Sequence, residues 1–183
     1  MAGFMRKDEA SLRGLHDLCE WLKANGCRMG MCVEIGSFMG ESALVFARYF
    51  DVVVCVDPFE FTGPGFEPKM MQRFRDFGVT RDVVRQTFLE NTSVAPNIAL
   101  VEKHDHLVEL VCDVVYIDSD HSYEACRRTI ERWRGLARWV CGHDYVSPGL
   151  AELVDKFGPS QRFIDTSWVL TPADSERDRL PPA

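Results

Sequence analysis

Residues 113–136, DVVYIDSDHSYEACRRTIERWRGL, contain a strand signal, a charged turn and a helix signal in direct succession. Residues 114–117 form a continuous apolar run, which predicts a buried strand over 113–118. Residues 122–136 carry apolar side chains at helical spacing and predict a helix. A strand that is apolar on both faces and leads into a helix is typical of parallel α/β sheets.

The same alternation of strand and helix extends along the chain. Further strands are predicted over 31–36, 52–57, 98–102 and 138–142, and helices over 8–24, 41–50, roughly 69–77, 81–91 and 149–158. We therefore predict one α/β domain over residues 1–172, a doubly wound and mostly parallel sheet with helices on both faces. Residues 1–27 form its N-terminal helical segment, 162–172 are β-rich, and 173–183 are a polar tail.

Composition and charge restrict the class of protein and its partners. The 183 residues are 46% hydrophobic and 27% charged, which is typical of soluble globular proteins. No apolar run approaches the ~20 residues of a membrane span and no signal-peptide pattern is present, so we predict a cytoplasmic protein. The net charge of −7 disfavours nucleic acid and anionic membranes as partners, whereas the oligomeric state stays open. The seven cysteines include no CxxC pattern and are predicted to be reduced thiols.

Charged side chains follow two of the predicted strands. Asp118 ends the predicted strand of the quoted segment and His121 follows three residues later, and His143 and Asp144 follow the next predicted strand. Ligands of parallel sheets bind beyond the carboxyl ends of the strands. We therefore expect these four side chains to meet in one crevice.

The first three predicted strands end in a pattern typical of nucleoside-containing cofactor sites. Gly36 and Gly40 flank a turn where glycine permits close approach of a ligand to the backbone. Asp57 ends the second strand, where a carboxylate typically accepts hydrogen bonds from ribose hydroxyls, and His104 or Asp105 is placed to contact an adenine. An ordinary β–α turn with polar loop residues would carry the same pattern. NAD and S-adenosylmethionine both stay open, although G-x-x-x-G differs from the G-x-G-x-x-G of dinucleotide-binding proteins.

The segments VEIGSFMGES, VVCVDPF, IDSDHSYE and VCGHDY together resemble class I S-adenosylmethionine-dependent methyltransferases. Within that class they resemble the small group that includes macrocin O-methyltransferase, over about residues 31 to 171. The resemblance implies a methyltransferase that acts on a small hydroxylated acceptor, such as a sugar or a natural-product precursor. Two alternatives are a cofactor-binding protein of the same fold without acceptor chemistry and, disfavoured by the glycine spacing, an NAD-linked oxidoreductase.

The resemblance also implies roles for individual residues. The cofactor residues that it implies are Glu34, Gly36, Ser37, Phe38, Gly40, Ser42, Asp57, Pro58, His104, Asp105 and Asp118. Asp118, His143 and Asp144 stand at the positions of a divalent cation, Mg²⁺ or another, although metal-dependent relatives commonly carry Asp where His143 stands. If no cation binds, Asp118 and Asp144 would contact the ammonium group of the cofactor and loop amides.

Methyl transfer requires alignment of donor and acceptor and removal of a proton from the acceptor hydroxyl. His121 stands at the general-base position of the resembling proteins, and an imidazole titrates near neutral pH. His143 is the second candidate catalytic residue, and the alternative for His121 is a residue that packs on its own loop at a helix start. Residues 58–74 are predicted to form a lid or acceptor wall, and Glu124 is expected to cap the following helix.

Overall fold

A computed structural model describes residues 9–61, 68–147 and 149–171. The strands are β1 (Met31–Ile35), β2 (Val52–Val56), β3 (Ile98–Val101), β4 (Cys112–Ile117), β5 (Ala137–Gly142), β6 (Ser160–Arg162) and β7 (Trp168–Leu170). The helices are α1 (Glu9–Ala24), α2 (Glu41–Phe46), α3 (Pro68–Asp76), α4 (Arg81–Thr92), α5 (Tyr123–Trp133) and α6 (Leu150–Phe157), with a 3₁₀ turn at Asp105–Leu107.

The strands form one sheet in the order β3-β2-β1-β4-β5-β7-β6. The pairings among β1 to β5 are parallel, and β7 runs antiparallel to both of its neighbours. This arrangement confirms the predicted doubly wound, mostly parallel sheet. The strand order reverses between β1 and β4, which is where such sheets open a ligand crevice.

Successive residues of β1 face opposite sides of the sheet, and each side is covered by helices. Cys32 belongs to the core that packs against α1, α2 and α4, whereas Val33 and Ile35 belong to the core with α5 and α6. A fully buried aliphatic or aromatic side chain contributes about 1.5–3 kcal/mol relative to exposure. Burial on both faces explains why the sequences of these strands are continuous apolar runs.

The predicted β-rich segment at 162–172 is two short strands separated by a turn over residues 163–167. Asp165 stabilises this turn, because its buried carboxylate accepts hydrogen bonds from the backbone N–H and the hydroxyl of Ser167 at 3.1 and 2.8 Å. The predicted helix at 41–50 ends already at Phe46. The centre of the predicted lid, residues 62–67, and the predicted polar tail lie outside the described residues.

All seven cysteines are free and buried, as predicted. Burial raises their thiol pKa values, that of Cys27 to about 11 and that of Cys112 to about 12. Among the described helices, none combines the length and the apolar character that crossing a membrane requires.

Candidate active site

The glycine turn after β1 lies directly against the end of β4. Gly36 has φ +87°, and a Cβ at this position would lie 2.2 Å from the carbonyl oxygen of Asp118. The Asp118 N–H donates to the carbonyl of Ile35 at 2.8 Å. Glycine is required here both by the backbone conformation and by the lack of space. It places the turn predicted for the cofactor beside the first residue of the charged cluster.

Glu34 lies beneath this turn, and its side chain is fully buried. Its carboxylate accepts hydrogen bonds from the Ser42 hydroxyl and, at 3.5 Å, from the Cys55 thiol. These contacts tie β1 to α2 and β2, as a buried carboxylate needs. Among the residues predicted to hold the cofactor, Ser42 lines the cavity, whereas Glu34 and Gly40 are not part of its lining.

Asp57 lies in the cavity wall at the end of β2 and is 8% exposed. Its two carboxylate oxygens accept the backbone N–H groups of Phe38 at 2.8 Å and Phe59 at 2.6 Å. Burial raises the pKa of this carboxyl, and the two N–H donors oppose that shift. Phe38 and Phe59 both have positive φ, so each occupies the sparsely populated left-handed region.

Two predicted adenine-contact residues lie across the cavity, after β3. His104 forms an ion pair with Glu60 at 3.4 Å when protonated, and its ring stacks on His106 with centroids 5.5 Å apart. Asp105 accepts a hydrogen bond from the Thr129 hydroxyl of α5 at 3.3 Å. This contact fixes the far wall of the cavity to α5.

Asp144 lies at the centre of the charged cluster and contacts both histidines. Its Oδ2 lies 3.0 Å from His121 Nδ1, and its Oδ1 lies 3.1 Å from His143 Nδ1. Asp118 Oδ1 lies 3.6 Å from the same nitrogen of His143. Asp144 adopts φ +57°, which allows one carboxylate to face both rings. The four residues that follow β4 and β5 in the sequence therefore meet, as their positions at the strand ends predict.

The start of α5 differs from the prediction for Glu124. Asp120 Oδ1 accepts the N–H of Ser122, the residue preceding the helix, at 2.8 Å. Glu124 faces solvent in the first turn of a helix that Ser122 begins, as predicted, but its carboxylate pairs with Arg127 at 3.0 Å and does not cap the helix. Its position in the first turn still complements the helix dipole.

One cavity of about 760 Å³ joins these groups. Its aromatic wall combines the predicted lid with the glycine turn, since Phe74 lies 5.8 Å from the Phe38 ring and 5.2 Å from the Phe61 ring, centroid to centroid. Pro58 also lines the cavity. The described ends of the 58–74 segment therefore form a wall of the site.

One face of α5 lines the cavity although it was not predicted to do so. Four residues of this helix line the cavity: Ala125, Arg128, Thr129 and Arg132. The sequence indicates this face only through the spacing of three and four residues, because the basic side chains of α5 are equally typical of a solvent-exposed helix surface. Thr166, from the β6–β7 turn, contributes a contact to His143 Nε2 at 3.4 Å that no sequence pattern indicated.

Comparisons with solved structures support this architecture. The protein yhhF from Escherichia coli, assigned as a methyltransferase, has a TM-score of 0.56 and 14% identity, over 92% of this chain and 90% of that chain. Magnesium protoporphyrin IX methyltransferase (ChlM) from Synechocystis PCC 6803, with bound S-adenosylmethionine, has a TM-score of 0.53 and 14% identity, over 88% and 78%. A protein from Pyrococcus horikoshii, assigned as an RNA methyltransferase, has a TM-score of 0.53 and 11% identity, over 83% and 73%. At these identities the likeness shows a shared fold.

Residues 33–145, more than half of the chain, match the sequence model of a methyltransferase domain family. The chain therefore belongs to this family of class I S-adenosylmethionine-dependent methyltransferases. It is a methyltransferase, and the cofactor of its family is S-adenosylmethionine. A search of curated protein sequences gives no match.

Proposed function

We propose that the chain transfers a methyl group from S-adenosylmethionine to a hydroxyl of a small molecule, such as a sugar or a natural-product precursor. One observation carries the proposal. His121 is held by Asp144 at 3.0 Å and lines the same cavity as Asp57 and the glycine turn. A proton acceptor and a wall suited to a nucleoside therefore face one space.

The cavity residues fit the chemical groups of S-adenosylmethionine. The carboxylate of Asp57 accepts backbone N–H groups, those of Phe38 and Phe59 among them, and its about four lone-pair sites can still accept a ribose hydroxyl. Ser37 and the glycine turn would hold the methionine portion, and His104 and Asp105 would contact the adenine. The bound cofactor supplies an electrophilic methyl group.

His121 suits the removal of a proton from the acceptor hydroxyl. The carboxylate of Asp144 at Nδ1 favours the tautomer that carries its proton on that nitrogen. Nε2 then keeps its lone pair and would accept the hydroxyl proton, while the acceptor oxygen would bond to the methyl carbon as the methyl–sulfur bond of the donor breaks and S-adenosylhomocysteine leaves. The pairing of a carboxylate with an imidazole thus orients the base for oxygen methylation.

We also propose a divalent cation at Asp118, His143 and Asp144. One ligand atom from each of these side chains lies within 4.8 Å of the other two. Two carboxylates suit Mg²⁺, whereas the imidazole favours Mn²⁺ or another transition metal. A bound cation would lower the pKa of an acceptor hydroxyl.

Calorimetric titration of Mn²⁺ into the chelator-treated protein tests the cation site. We expect saturable binding that His143→Ala weakens at least about tenfold, since one of three protein ligands is lost. Glu152→Ala is the matched control, because Glu152 pairs with Lys156 on the exposed face of α6. Methyl transfer that persists unchanged after exhaustive chelation would remove the cation from the mechanism.

The charge distribution favours a small acceptor over RNA. The chain has a net charge of −7, and Asp118, Asp120 and Asp144 surround the proposed reaction centre. Phosphate groups would be repelled from such a surface. The Pyrococcus horikoshii neighbour is assigned as an RNA methyltransferase, so RNA belongs in the acceptor panel.

The decisive experiment has two stages. Calorimetry first compares S-adenosylhomocysteine with NAD, and we expect binding of the former alone. Transfer of a labelled methyl group is then measured on hydroxylated sugars, phenolic precursors and structured RNA. Transfer to RNA alone would contradict the small-molecule proposal, and cofactor binding without transfer to any acceptor class would favour a binding protein.

A further inference from the structure

We propose that Thr166, in the turn between β6 and β7, is a positioning residue that sets the orientation of the His143 imidazole. The proposal rests on the role of His143 in the proposed function. The Thr166 hydroxyl lies 3.4 Å from His143 Nε2. The opposite nitrogen, Nδ1, faces the carboxylates of Asp144 and Asp118 at 3.1 and 3.6 Å. The ring is therefore held from both sides.

The same hairpin holds the backbone of His143. The indole N–H of Trp168 donates to the His143 carbonyl at 3.0 Å, and the Tyr145 N–H donates to the Thr166 carbonyl at 3.1 Å. Trp168 also pairs with Gly142 in the sheet. The β6–β7 hairpin thus contacts His143 through both its backbone and its side chain.

Thr166 has an uncommon backbone conformation for its residue type. Its φ is +71°, in the left-handed region, where a β-branched side chain is a genuine outlier. Such strain persists only when surrounding contacts impose it, and it is concentrated at functional sites. A glycine at this position would adopt the same backbone without strain but would offer no hydroxyl to His143.

A buried network imposes this conformation. Asp165 is 8% exposed and accepts two hydrogen bonds from Ser167, whose hydroxyl also contacts the Tyr116 hydroxyl at 2.8 Å. Asp165 packs so closely on α1 that a Cβ at Gly14 would lie 2.2 Å from its carboxylate. The turn is thereby fixed to β4 and to α1, and Thr166 cannot relax without disturbing both.

This arrangement assigns the protons of the His143 ring. In the metal-free protein a nitrogen that faces two carboxylates carries the proton, so Nδ1 donates and Nε2 accepts the hydroxyl hydrogen of Thr166, and the proposed cation would displace the Nδ1 proton. Loss of the Thr166 hydroxyl removes this hydrogen bond to Nε2. The ring can then adopt the Nε2–H tautomer or rotate. The turn therefore keeps one proton arrangement beside the proposed base.

Nitrogen-15 NMR of histidine-labelled, metal-free protein tests the proposal without any acceptor. The chain has five histidines, and His143→Gln identifies the His143 ring signals. We expect a single Nδ1–H tautomer in the wild type and in Thr166→Ser, and mixed tautomers in Thr166→Val. Thr171→Val is the matched control, because Thr171 is exposed beyond the end of β7.

Thr166→Gly provides a second, independent variant. It should raise the Tm by about 2–4 °C through relief of the left-handed strain and yet show the mixed tautomers of Thr166→Val. Wild-type ring signals in both hydroxyl-free variants would overturn the positioning role. That result would leave the proposed methyl transfer intact, since cofactor binding and transfer are measured separately.

Discussion

At the scale of single residues, Asp57 serves the fold and the proposed cofactor site at once. Its carboxylate holds the N–H group of Phe38, in the glycine turn that lines the cavity, and that of Phe59, in the loop after β2. A buried carboxylate with such donors is costly to desolvate but is placed in advance for a further hydrogen-bonding ligand. The cofactor prediction is therefore most sharply tested here.

Asp57→Ala should weaken S-adenosylhomocysteine binding at least about tenfold, because charge-assisted hydrogen bonds to the ribose contribute roughly 1.5–3 kcal/mol. Isothermal titration calorimetry measures the change. Asp51→Ala is the control, since Asp51 is exposed just before the opposite end of the same strand. Equal affinities in two folded variants would exclude Asp57 from the cofactor site.

His121→Ala should lower kcat about 10²–10⁴-fold and leave S-adenosylhomocysteine affinity nearly unchanged, as expected for a positioned general base. Steady-state kinetics with the acceptor found in the panel measures the loss. His16→Ala is the control, because His16 bonds to Tyr49 in a separate groove. Full turnover in His121→Ala would exclude the base assignment, and a large loss of affinity would make His121 a cofactor contact.

At the scale of elements, the site depends on the contact between the β1 turn and the end of β4. Gly36→Ala should destabilise the fold by about 1–3 kcal/mol more than Gly26→Ala, measured by urea unfolding. Both glycines have φ near +86°, but a Cβ at Gly26 meets nothing within 4 Å, whereas at Gly36 it meets the Asp118 carbonyl. Similar losses in the two variants would show that the conformation, and not the close contact, requires glycine at Gly36.

The strands of the parallel sheet were predictable because burial on both faces produces unbroken apolar runs, as in β4. The strand ends also predicted that Asp57, His121 and Asp144 lie in one site, since the carboxyl ends of parallel strands lie at one edge of the sheet.

The remaining parts of the site depend on contacts between elements that are distant in the sequence. Arg132 reaches the cavity only through the packing of α5 beside β4, and Thr166 only through an antiparallel hairpin that returns to β5. Glu34 carries the expected residue type but is buried among α2 and β2 contacts. At the start of α5, the carboxylate of Asp120 accepts the Ser122 N–H, which Glu124 was expected to cap.

At the scale of the whole molecule, burial of all seven thiols should make the folded protein unreactive toward thiol reagents. Burial raises the pKa of Cys27 to about 11, and of Cys112 and Cys126 to about 12, so the reactive thiolate is scarce at pH 8. We expect almost no reaction with Ellman's reagent in the native protein and seven equivalents in denaturant. Rapid native labelling of several thiols would contradict this packing.

The sheet order also has a consequence for synthesis on the ribosome. β1 pairs with β4, and Cys32 meets Val114 roughly 80 positions later in the chain. At about 5–20 residues per second, one edge of β1 stays open for several seconds during translation. That edge presents unpaired backbone N–H and C=O groups in the nascent polypeptide, between side chains that are mostly apolar on both faces, so we expect the growing chain to be most open to pairing with other strands during this interval.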